Sequence, residues 1–151
     1  MRKLLLTVFM LLVMSTSCLA ANWEWVGSSP DLGIFYDKDS IVFEKNKQIV
    51  NRDRCSVWVK IVYDKAYVQR EYKHDWAFSV ERWNFDLANN RIREGERLHY
   101  NDNGRVVNRD KPSSKWNDIA PETLAELIRY RVSKYAHERT EEIEQRTRNA
   151  H

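Results

Sequence analysis

Groups that build reaction centres are scarce in this sequence. Two cysteines, four glycines, three prolines and four histidines are spread over 151 residues. With glycine only at positions 27, 33, 95 and 104, neither a phosphate-cradling glycine loop nor a Gly-x-Ser-x-Gly nucleophile turn is present. His74, His99, His137 and His151 are scattered, with no His-x-x-x-His or Cys-x-x-Cys pair to start a metal site. Lys73-His74-Asp75-Trp76 sets an imidazole beside a carboxylate in sequence, but chain neighbours commonly point apart, so it reads as a solvated loop. The longest largely apolar run, Leu4 to Met14, is too short for the ~30 Å hydrocarbon core of a bilayer. No cofactor is implied and an enzyme is not expected.

What is there suits one folded domain: 42% apolar, 31% charged and 12% aromatic residues. Its first twenty residues read separately. Arg2 and Lys3, the apolar run, polar Ser15-Thr16-Ser17 and small Cys18, Ala20 and Ala21 follow the order of a secretory signal, with cleavage after Ala20 or Ala21. Lipid attachment at Cys18 is disfavoured because Ser15 stands where an aliphatic residue is usual. The expected organisation is a signal peptide over 1–20, a domain over 21–136 and a charged helical extension or frayed tail over 137–151. The mature chain is expected to be exported, to the periplasm or the cell surface, without a transmembrane segment.

Removal of the signal changes the electrostatics. The 25 basic and 22 acidic residues become 23 and 22, so the domain is close to neutral and a nucleic-acid role loses its support. It also leaves Cys55 alone, so no intrachain disulfide forms. Cys55 shares strand parity with Val57, Val59 and Ile61, which favours a buried apolar thiol over a catalytic or dimer-forming one.

Short β-branched and aromatic stretches bounded by turn residues predict an antiparallel sheet of five to seven strands. Trp23–Gly27 is a first strand. Residues 33–37 and 40–44 read as two strands around a Lys38-Asp39 corner, and 48–63 as a central strand with a bulge or break at Asn51-Arg52-Asp53. Residues 64–75 form a loop or short helix. In Trp76–Leu87 the apolar parity shifts from Phe78/Val80 to Trp83/Phe85/Leu87, predicting a β-bulge near Glu81-Arg82. Asn89-Asn90 and Asn101-Asp102-Asn103-Gly104 supply the turns around the strand 92–100, and a short strand follows at Val106-Val107. Glu94 and Glu96 among Arg91, Arg93 and Arg97 read as surface charge pairing.

Pro121 and Glu122 mark a helix start, and Leu124, Leu127, Ile128, Val132, Tyr135 and Ala136 form one apolar stripe at helical spacing. The fold class is therefore α+β, an antiparallel, half-barrel-like sheet with one C-terminal α-helix packed on one face. Six Trp and seven Tyr remain as recognition material. Trp58, Trp83 and Trp116 sit in or beside strands and are expected to be buried. Trp23, Trp25, Tyr67, Tyr72 and Trp76 are the candidates for an exposed aromatic binding surface.

The ordered series Trp25-Val26, Phe35-Tyr36-Asp37-Lys38-Asp39-Ser40-Ile41, Val57-Trp58-Val59-Lys60, Phe85-Asp86 with Asn89-Asn90-Arg91, Tyr100 with Gly104, then Trp116 to Pro121 and Glu126, resembles the surface-adhesin protein E family. The resemblance runs from about 23 to 135. It implies a half-open sheet with a helix on its concave face, and an adhesin-like module binding a protein partner, such as a host extracellular-matrix or plasma protein, or self-associating as a homodimer. Many members carry a cysteine after that aspartate and another in the last helix, which implies a staple. Here those places hold Leu87 and Ser133. The alternatives are a periplasmic structural or envelope-maintenance protein with no host ligand and, from another class, a small hydrolase or inhibitor.

Overall fold

A computed structural model describes residues 21–150; the expected signal peptide, with Cys18, and His151 lie outside them. Seven strands form one antiparallel sheet in the order β1-β2-β3-β4-β5-β6, with β7 also on β5. They are β1 (Trp23–Ser28), β2 (Leu32–Asn46), β3 (Ile49–Tyr63), β4 (Phe78–Asp86), β5 (Arg91–Tyr100), β6 (Val106–Asp110) and β7 (Asn117–Asp118). The sheet does not close: β1 and β6 are its edges. Helix α1 (Lys65–Glu71) follows β3, and α2 (Leu124–Glu138) and α3 (Thr140–Asn149) end the chain.

The two strands expected around Lys38-Asp39 are one bent strand. Between the pairs Asp37–Trp58 and Val42–Ser56, β2 carries three residues more than β3. Local hydrogen bonds hold this bulge: Asp37 Oδ1 accepts from the Asp39 N–H at 3.1 Å, while Ser40 Oγ donates to the Asp37 carbonyl at 2.7 Å and accepts from the Trp58 N–H at 2.9 Å. The polar corner was legible, but a Ser hydroxyl replacing a ladder partner keeps the strand continuous. The irregularity at Asn51–Asp53 is present, between the pairs Glu44–Asn51 and Phe43–Cys55.

The bulge expected near Glu81-Arg82 sits on the facing strand. Strand β4 pairs with β3 without a slip, whereas Gly95 and Glu96 of β5 together oppose Arg82. Parity shifts in sequence because the inward residues change from apolar to polar: Ser79, Glu81, Trp83 and Phe85 all face one side and are all buried. Glycine is required at the bulge, since a Cβ on Gly95 would lie 2.5 Å from the Arg82 carbonyl oxygen. Gly95→Ala is expected to lower unfolding free energy by about 1–3 kcal/mol through this clash, measured by chemical denaturation.

On the inner face lie Val26, Ile34, Tyr36, Ile41, Phe43, Cys55, Val57, Val59, Ile61, Trp83, Phe85 and Ile92, packed with Ile128, Val132, Ala136 and Ile143 of the helices. Burial pushes the Cys55 thiol up to about 12, so it stays protonated as an apolar core group. Helix α2 begins at Thr123 rather than at Pro121. Thr123 Oγ accepts from the Glu126 N–H, and the Glu126 carboxylate accepts from the N–H of Glu122, whose φ of 59° is incompatible with a helical turn. The stripe docks through Ile128, Val132 and Ala136, while Leu127 is 37% exposed at its margin.

Of the two forms expected for 137–151 the helical one is present, and it is docked on the sheet rather than standing in solvent. Ile143 is fully buried, and Thr147 Oγ accepts from the Phe43 N–H at 2.9 Å while donating to the Ile143 carbonyl at 2.7 Å. Arg146 Nη1 donates to the Ile41 carbonyl at 2.9 Å, and Arg52 pairs with Glu144. Two helices therefore cover the inner face where one was expected. Leu87 and Ser133, at the places of the implied staple, line one cavity between sheet and α2.

Candidate functional site

The structure divides the five candidate aromatics into two groups. Tyr67, Tyr72 and Trp76 form a chain of rings, with centroids 5.9 Å and 5.2 Å apart. Trp76 is held between His74 at 4.6 Å and His99 at 3.8 Å, so it is half-buried. His99 is an inward residue of β5, 1% exposed, whose Nε2 meets Asp110 at 2.8 Å. These rings cover the polar end of the inner face. Asp64 starts the segment by capping α1, accepting from the Tyr67 N–H.

Beneath them the inner face is polar. Tyr63 and Ser79 share a hydrogen bond of 2.9 Å. Arg97 Nε and Nη2 both donate to one oxygen of Glu81, at 3.0 and 2.8 Å, and Glu81 is 1% exposed. Burial raises the Glu81 carboxyl above its ordinary value, with Arg97 opposing the rise.

Trp23 and Trp25 lie on β1, and alternation sends them to the other side of the sheet, because Val26 between the helices and sheet is buried. Trp25 is 57% exposed. It opens a row of cross-strand partners, Trp25–Phe35–Lys60–Val80–Leu98. Beside the row, the Lys60 ammonium lies 4.5 Å over the Phe78 ring, which stacks on Tyr100 at 4.7 Å, and Val62 is exposed. The helices pack on the opposite side, so this outer face is open and carries aromatic and aliphatic side chains at regular strand spacing.

Sequence reading missed a groove at one end of the same face. A second row, Val42–Ser56–Asn84–Arg93, crosses four strands and forms its floor. Arg54, Arg82, Arg93 and Trp116 line it, around a volume of about 220 Å³. The expected burial holds for Trp83; Trp58 and Trp116 are half-exposed beneath arginines instead. Arg54 and Arg93 lie 5.4 and 4.8 Å from the Trp116 ring, and Arg82 lies 5.9 Å from Trp58. Pairing register across β2 to β5, with the segment leading into β7, brings these residues together.

Arg54 is also bound to Glu44 at 3.2 Å and to Asp86 at 3.3 Å. Burial pushes the Asp86 carboxyl up, but hydrogen bonds from the Asn89 side chain and N–H, with Arg54, outweigh it and leave Asp86 below its ordinary value. Of the charge pairing expected around Glu94 and Glu96, the cross-strand surface pair present is Glu96 with Arg109 at 2.8 Å; Glu94 approaches Arg97 along the same strand at 3.9 Å, and Arg97 turns inward to Glu81 instead. Among the described residues no helix is long and apolar enough to cross a membrane.

A helix-backed open antiparallel sheet with one solvent-facing, aromatic and cationic surface defines an α+β domain. The family description surface-adhesin protein E matches residues 23–132, and the chain belongs to that family of bacterial surface adhesins. The crystal structure of protein E from non-typeable Haemophilus influenzae is similar at 14% sequence identity, covering 84% of this chain and 89% of that one, with a TM-score of 0.49. No curated protein matches.

Proposed function

We propose that this chain is an exported, non-enzymatic binding module that recognises a protein partner through the outer face of its sheet. The observation that carries this reading is Trp25, a large aromatic side chain left 57% exposed at the head of a largely apolar cross-strand row that no element among the described residues covers. A large exposed aromatic in such a row supplies contact area at low cost in side-chain entropy. By family resemblance the partner is a host extracellular-matrix or plasma protein met at the cell surface.

The test combines surface labelling of intact cells with binding to immobilised matrix and plasma proteins. The wild type is expected to be labelled and to bind. Trp25→Ala is expected to weaken binding about tenfold or more while changing stability by less than about 0.5 kcal/mol. A chain shielded in intact cells that binds no member of the panel would instead be the periplasmic envelope protein of the alternative reading.

A further inference from the structure

The sheet gives most of its arginines an acidic partner. Arg52 has Glu144, Arg54 has Glu44 and Asp86, Arg91 has Asp118, Arg97 has Glu81 and Arg109 has Glu96. Arg82 and Arg93 are different: among the described residues neither has a carboxylate within ion-pair distance, and both line the outer-face groove. They are nonetheless held in place. Arg82 Nε and Nη2 donate to Ser56 Oγ at 3.2 and 2.8 Å, and Arg93 rests on Trp116. Guanidinium groups fixed by stacking and left without an anion lose little freedom on meeting one, and their fork matches a carboxylate.

We infer that this groove receives a carboxylate from an acidic segment of the protein partner, with Arg82 and Arg93 as its ligands and Trp116 as its wall. The inference rests on the outer face being the recognition surface, and it names the chemistry recognised there. Charge supports it: Glu44 and Asp86 are both taken up by Arg54, which leaves Arg82, Arg93 and Lys45 along the groove with no ion-pair partner among the described residues. Size supports it as well. About 220 Å³ suits one acidic side chain and its water rather than a drug-sized ligand. A protein segment fits better than a polyanion, because the mature chain is close to neutral and the open face beyond the groove is apolar. An acidic residue flanked by aliphatic ones would engage both regions.

The experiment titrates the mature chain against a fluorescent short peptide alternating glutamate and leucine, beside its glutamine counterpart and a heparin oligosaccharide. The glutamate peptide is expected to bind and the glutamine peptide to bind about tenfold more weakly or not at all. Arg82→Gln and Arg93→Gln are each expected to reduce binding about tenfold, whereas Arg91→Gln, whose partner is Asp118, leaves it unchanged. Equal binding of the two peptides, no binding of either, tighter binding of heparin, or indifference to both groove substitutions overturns the inference. If those variants keep full binding to a matrix or plasma protein that Trp25→Ala loses, the recognition surface stands and the groove assignment falls.

Discussion

Ile143→Ala is expected to lower the unfolding free energy by about 2–5 kcal/mol, the cost of emptying a fully enclosed isoleucine site. The effect is large because Ile143 is the one apolar residue that α3 inserts into the core. Around it the helix is otherwise tied by polar contacts, with Thr147 satisfying the Phe43 N–H and Arg146 reaching the Ile41 carbonyl. Loss of Ile143 would loosen those contacts too, since they depend on the helix lying against β2. Chemical denaturation checks the value, and a change under about half a kcal/mol would mean that α3 is not part of the cooperative unit.

Arg97→Ala is expected to cost about 3–5 kcal/mol at neutral pH, because it leaves the enclosed Glu81 carboxylate with no counter-charge. Its pH dependence separates this cause from lost packing. Glu81 is already raised above 4.5 in the folded protein, and removing Arg97 removes a force that lowers it. A raised carboxyl contributes stability that is complete below the unfolded value and lost as pH climbs through the folded one. The variant's deficit relative to wild type is therefore expected to shrink as pH falls towards 4.5, in denaturation curves recorded across that range. A deficit constant with pH would assign the loss to the Arg97 side-chain stem.

The fold was legible where pattern and burial agree. Cys55, Val57, Val59 and Ile61 alternate and are all inside, and the turn ending at Gly104, with its φ of 70°, lies where Asn103-Gly104 placed it. Legibility failed where a polar residue is inside. Ser79 and Glu81 broke the apolar parity of β4 and imitated a bulge. Thr147 hid the inner side of α3, leaving Ile143 isolated in a charged stretch. The exposed aromatics were half legible: strand alternation sends Trp25 outward, but nothing local told that Trp76 would be pinned by His99, more than twenty residues on. The arginine groove was out of reach, because whether Arg82 and Arg93 have acidic neighbours depends on cross-strand register.

The hydrogen bond between the Phe43 N–H and Thr147 joins residues 104 positions apart, and Ile143 enters the same core. Synthesis from the amino end makes β2 long before the residues that seal it. The inner face therefore stays partly unsealed until Ile143 and Thr147 have been made, which places its final compaction late in folding.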